Sequence, residues 1–201
     1  MFWAIYLGVL FAGWAMMVRE GLWSNAITLV NILISGIAAF GFYAPLCVRI
    51  DEEYTKGQHT YWIDFAIIWA IFAVVMLICR TITGAFSKTR MRFKHPIDPV
   101  GGPLVAFIAA WVLAAFATAT LHVSPMDKNA FGGALNYTNA DTAFFATQPD
   151  AAWLRFMETV TSPEAFGSNA ANQIKAKPFV KIYGDRRERF EKTPDFIVKR
   201  G

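Results

Sequence analysis

Hydrophobic and polar positions divide this chain in two. Up to residue 123 the sequence is four long apolar runs broken by short polar stretches; beyond it, apolar and polar residues mix as in water-exposed sequence. The first run, 2–18, is apolar or small throughout and stops at Arg19, Glu20 and Gly21. The second, 26–48, carries Asn31 and Ser35 and closes on YAPLCVRIDEE, where Pro45 is expected to bend or end it. The third, 61–86, opens with Tyr61 and Trp62, residues suited to a membrane interface, and holds Asp64 near its start and Arg80 nearer its end. The fourth covers 103–123. The first three are apolar on every face rather than along one stripe, unlike the helices of a soluble bundle. Hydrocarbon offers backbone groups no partner, so spanning runs of about 20 residues must be helical. The pattern predicts an all-α membrane protein with four transmembrane helices over 1–123. The very short turn at Arg19–Gly21 predicts that the first two pair as an antiparallel hairpin, with Ser24 or Asn25 capping the second. The first run lacks the basic start and small-residue cleavage site of a signal peptide and is expected to be retained.

The remainder, 124–201, is expected to be a mostly irregular, partly helical C-terminal tail outside the membrane. Residues 124–149 and 161–178 are rich in Ala, Asn, Thr, Gly and Pro and predict loops. Between them Asp150 is placed to cap an amphipathic helix near 150–161, where Trp153, Phe156, Met157 and Val160 share one face. The chain closes on the charged segment PFVKIYGDRRERFEKTPDFIVKR. With so few core-sized elements, the tail is expected to lean on the membrane surface, the bundle or a partner.

Composition agrees with this division: 55% of residues are hydrophobic and only 17% charged, against about 25% in typical soluble domains. The net charge of +4 is spread over both parts, with no basic-aromatic interleaving, and does not point to nucleic acid. Its use is in topology. Arg19, Lys88, Arg90, Arg92 and Lys94 fall in the first and third loops, whereas Arg49 and Lys56 in the second are offset by Asp51, Glu52 and Glu53. The positive-inside bias therefore puts loops 19–25 and 87–97 in the cytoplasm and both termini outside. In that arrangement Cys47 and Cys79 lie at different depths, too far apart for a disulfide, and read as buried small hydrophobes.

Little in the chain resembles catalytic chemistry. His59, His95 and His122 each stand alone, without Cys, Asp, Glu or His at ligand spacing, so neither a metal nor a cofactor is expected. No Ser lies in a G-x-S-x-G elbow, and the triplet Asn136-Tyr137-Thr138 is of a kind common by chance. The intramembrane charges are more telling. Arg80 lies about 9 Å from the inner end of its helix at the helical rise, within snorkelling range and at the depth of Glu20, a candidate partner. Asp64, one turn inside the outer interface, reads first as a helix N-terminal carboxylate favoured by the dipole. Asn31 is placed to hydrogen-bond across helices.

The stretch HPIDPVGGPLVAFIAAW, 95–111, resembles a phosphate loop only superficially: it lacks the Lys-Ser/Thr pair and a preceding strand. Asp98 followed by Pro99 reads as a helix cap and first helical position. From there small residues recur every fourth position at Gly102, Ala106, Ala110, Ala114 and Thr118, a stripe that lets membrane helices approach closely. The stripe leaves open whether its partner is internal or a second copy of the chain.

These features together resemble the colicin V production protein (CvpA) family of bacterial inner-membrane proteins. That family shows a pattern close to D-R-x-x-G-x-x-x-G before its last helix; here Asp98 and Gly102 match, Ala106 stands for the later Gly, and Pro99 replaces the Arg. Of the family's R-G-x-x-R-E between the first two helices only Gly21 matches, with Glu20 and Asn25 at charged positions. The resemblance covers about residues 1–123, and WLRFMETV followed by RRERFE looks like the tails of planctomycete-type members. It implies a non-enzymatic inner-membrane protein linked to colicin V production or export and to envelope homeostasis, with no catalytic residues to carry over. The alternative is a small oligomeric channel or transporter, motivated by Arg80, Asp64 and the stripe. The expected partners are the lipid bilayer, membrane or periplasmic proteins reached through the tail, and a second copy in a homo-oligomer.

Overall fold

The computed structural model describes residues 2–55, 60–86, 97–126, 148–167 and 173–192. The loop 87–96, His59, His95 and the Asn136–Thr138 triplet lie outside the described residues. Six α-helices follow one another: α1 Phe2–Met17, α2 Leu22–Ile50, α3 Thr60–Phe86, α4 Ile97–Thr120, α5 Pro149–Val160 and α6 Ala176–Glu191. α2, α3 and α4 are long and apolar enough to cross a membrane. α1 is equally apolar, but its 16 residues reach only about 24 Å, short of the ~20 residues of an independent span.

α1 to α4 each cover the apolar run that predicts them, with two shifts. α2 passes through Pro45 without ending and turns into a π-helical turn at Asp51–Thr55. α4 starts at Ile97, which puts Asp98 and Pro99 inside its first turn, where a proline's missing N–H costs nothing.

The pairing of α1 differs from the expected hairpin. α1 lies antiparallel along α4, and α2 packs on α3 and α4. Phe2 meets Leu121, Tyr6 and Leu10 meet Ala110 and Ala114, and the Trp14 indole donates to the Pro103 carbonyl at 3.2 Å. The small-residue stripe explains the choice. Gly102, Ala106, Ala110, Ala114 and Thr118 are all buried, and Gly13 of α1 packs on them, a Cβ there standing in ordinary contact with that of Ala110 at 3.4 Å. Helices without bulky side chains between them gain dispersion contact, the main attraction available in lipid. The stripe therefore has its partner within the chain.

α4 is the central helix, with everything from Ala114 to Ser124 buried. Phe116 is its hub: its ring stacks on Phe72 of α3 at 4.4 Å and meets Trp69, Trp153 and Phe40 edge-on at 5.4, 5.5 and 5.8 Å. Trp153 belongs to α5, so the core of the spanning helices continues into the tail. Leu154 and Met157 of α5 and Phe179, Val180 and Tyr183 of α6 complete the same cluster. The amphipathic helix is present as expected, but its buried face is Trp153, Leu154 and Met157, with Phe156 and Val160 only half-buried. α6 falls in a segment expected only to be charged.

Candidate functional site

Two polar assemblies stand at opposite ends of the bundle. At the first, the α1–α2 turn meets the start of α4. Asp98, expected to cap its own helix, instead accepts the Leu22 backbone N–H at 2.8 Å through Oδ1 and so caps α2, whose own N-cap residue, Gly21, offers no side-chain acceptor. Gly21 is what lets the carboxylate in: a Cβ there would stand 3.2 Å from Asp98 Oδ1. A Cβ on Gly102 would stand 3.0 Å from the Glu20 carbonyl oxygen. Asn25, placed inside α2 rather than at its cap, donates through Nδ2 to the carbonyls of Glu20 and Gly102 at 3.2 and 2.9 Å. Ser24, likewise inside α2, donates its hydroxyl to Glu20 Oε2. The two short motifs, one around Gly21 and one around Asp98 and Gly102, thus form one joint.

The joint is one wall of a cleft of about 1080 Å³. α2 supplies Trp23, Ile27, Thr28 and Asn31; α3 supplies Met76, Arg80, Thr83 and Gly84; Met16 and Met17 close it from α1. Asn31 spans it, donating to the Thr83 hydroxyl at 3.2 Å. Arg80 and Glu20 line the same cleft, but among the described residues no ion pair joins them: Glu20 is taken by Ser24, and Arg80 is exposed.

At the other end, Asp64 is no solitary helix-start carboxylate. It is 1% exposed, and its Oδ2 accepts from Arg186 Nη1 at 2.6 Å and from the Tyr183 hydroxyl at 3.1 Å. The Tyr43 hydroxyl lies 3.1 Å from that of Tyr183. A carboxylate only accepts, so Tyr183 spends its one proton on Asp64 and Tyr43 donates to Tyr183. The Arg186 guanidinium also sits over the Tyr183 ring, 4.8 Å from its centroid. Burial pushes the Tyr183 phenol well above its ordinary range, and the nearby Tyr43 and Asp64 push the same way. This network joins α2, α3 and α6. Beside it His122 Nε2, just past α4, lies 2.7 Å from Asp150 Oδ2 on α5. Asp150 is therefore not the cap of α5, which starts at Pro149 after Gln148; its carboxylate pairs with the imidazole instead.

Cys47 is buried, Cys79 is half-buried, and neither is in a disulfide. Among the described residues no three His, Cys, Asp or Glu side chains gather where a metal ion would sit.

The sequence pattern of a known family, that of the colicin V production protein, matches residues 4–146, a range that includes the joint. The chain belongs to this family. The match runs past α4, farther than the apolar runs alone suggest, and the membrane character of the helices agrees with it. Comparison with curated proteins and with solved structures gave no match.

Proposed function

We propose that this member of the colicin V production family is a non-enzymatic component of the bacterial inner membrane that supports toxin production or secretion, or envelope homeostasis, by presenting α5 and α6 to a protein partner. The observation that carries this reading is the docking of the tail: α5 and α6 are seated in the bundle by Trp153, the Asp64–Arg186 pair and the His122–Asp150 pair. A preassembled surface loses little conformational entropy on binding. Ile182, 52% exposed on α6, and Phe166, 89% exposed after α5, are the apolar contacts it offers. The charge bias of the loops supports an orientation with this surface outside the cytoplasm and loops 19–25 and 87–97 inside.

A photo-crosslinking residue at Ile182 in the full chain tests the proposal. The expected result is one defined adduct with an envelope or membrane protein, lost when Arg186→Gln releases α6. No adduct, or adducts unchanged by that release, would overturn it. A C-terminal reporter active only in the cytoplasm would overturn the orientation. The cleft favours a second reading, a small oligomeric channel or transporter. Ion flux into liposomes that Arg80→Gln abolishes in a folded protein would establish that reading instead.

A further inference from the structure

The cleft at the α1–α2 turn has the build of a lipid site. It lies between helices that face hydrocarbon, at the end where α2 and α4 both begin. Two helix N-termini therefore border it, that of α2 already capped by the Asp98 carboxylate. Arg19 and Arg80 line it, both exposed, and among the described residues neither is in an ion pair. Its two carboxylates are already engaged: Asp98 with the Leu22 N–H, and Glu20 with the Ser24 hydroxyl. Arg80 stands six residues before the end of α3 at Phe86, about 9 Å along the helix. From that depth a guanidinium can snorkel to the interface, where lipid phosphates lie. Thr28 and Thr83 add hydroxyls, while Ile27 and Met76 continue the wall in apolar side chains. Polar groups at the mouth and an apolar wall behind match a headgroup followed by acyl chain.

We infer that this cleft binds the phosphodiester headgroup of an anionic membrane lipid, with Arg80 as its principal ligand, Arg19 assisting, and an acyl chain lying along Ile27 and Met76. Arg suits this task because its planar fork matches two phosphate oxygens at once.

Native mass spectrometry of the full chain in non-ionic detergent tests the site, with phosphatidylglycerol, phosphatidylethanolamine or inorganic phosphate added separately. The expected result is one phosphatidylglycerol retained per chain in preference to phosphatidylethanolamine. Arg80→Gln should weaken retention about tenfold or more, as loss of a charge-assisted contact does. Arg19→Gln should weaken it less, and Arg155→Gln, on the exposed side of α5, should leave it unchanged. Equal retention of both lipids with no effect of Arg80→Gln would overturn the proposal in favour of an unselective lipid coat. Displacement of the lipid by equimolar inorganic phosphate would overturn it in favour of a free-phosphate site. If Arg80→Gln does not fold, Arg80→Lys keeps the charge and loses the fork; its unchanged retention, together with unchanged retention in Arg19→Gln, would equally overturn it.

Discussion

Replacing Gly36 with alanine tests how the tail is held. Gly36 lies in the middle of α2, and the Trp153 ring of α5 lies directly over it. A Cβ there would stand 2.5 Å from Trp153 Cη2, 2.6 Å from Cζ2 and 3.3 Å from Phe116 Cδ2. Carbon atoms rest at about 3.5–4.0 Å, so the indole must retreat by about 1 Å. It has nowhere to go, because Phe40, Phe116 and Phe156 surround it with centroids at 6.0, 5.5 and 5.4 Å. Overpacking of this kind costs about 1–3 kcal/mol, and the gain in helix propensity from Gly to Ala returns at most ~1 kcal/mol. The propensity gain belongs to α2 itself, so the overpacking cost of about 1–3 kcal/mol falls on the seating of α5, and every ~1.4 kcal/mol raises the undocked fraction tenfold. Hydrogen exchange across 148–167, in detergent or nanodiscs, should accelerate by about that factor while α3 is unaffected. Trp153→Leu should restore slow exchange in the Gly36→Ala background though it accelerates exchange on its own, a coupling that a double-mutant cycle isolates. Unchanged or slower exchange in Gly36→Ala would refute the seating. Gly13→Ala is the internal contrast: its Cβ would meet Ala110 Cβ at 3.4 Å and Leu113 Cδ2 at 3.8 Å, ordinary contact, so that change should be neutral or stabilise by up to ~1 kcal/mol.

Asp64→Asn or Arg186→Gln alone strands a buried partner and should cost about 3–5 kcal/mol of tail docking; the double variant should cost less than the sum, read as protease sensitivity of α6. Asp98→Ala removes the acceptor for the Leu22 N–H and should lower bundle stability by about 1 kcal/mol in thermal unfolding; Asp98→Asn, which keeps an acceptor, should recover most of it. The raised pKa of Tyr183 sets a high-pH limit. The docked phenol holds its proton more tightly than the free one, so its contribution is complete below about pH 10 and is lost as pH rises through the docked value. Tyrosinate absorbance and release of α6 should therefore rise together above that pH, and Tyr183→Phe should lose the coupling.

The spans were legible because a run of apolar residues on every face has one stable solution in lipid. Pairing was not. The turn at Arg19–Gly21 brings two helix ends together but leaves open which side of α1 finds a neighbour, and the small face of α4 offers a closer approach than α2 does. The stripe itself was visible from spacing; its partner became visible only with Gly13 against Ala110. Asp98 looked like a local cap because sequence displays only local N–H groups, while the one it satisfies is on Leu22, 76 positions away. Asp64 and Arg186 are 122 positions apart, and nothing local distinguishes that pairing from others. α6 left a signal: Phe179, Tyr183 and Arg187 recur every four residues and share one buried face. The charges around Gly184 obscured it.

The antiparallel contact of α1 with α4 has a consequence for how the protein is made. α1 leaves the ribosome before α4, and Trp14 meets Pro103 only after 89 further residues. At about 5–20 residues per second, α1 waits on the order of ten seconds for its partner. It must meet lipid during that interval with the same Gly13 face that later meets Ala110, and with too little length to hold a transmembrane position securely by itself. Insertion of α4 thus commits α1 after the fact, and a chain that stalls before residue 97 leaves its first helix unassembled and open to membrane proteases.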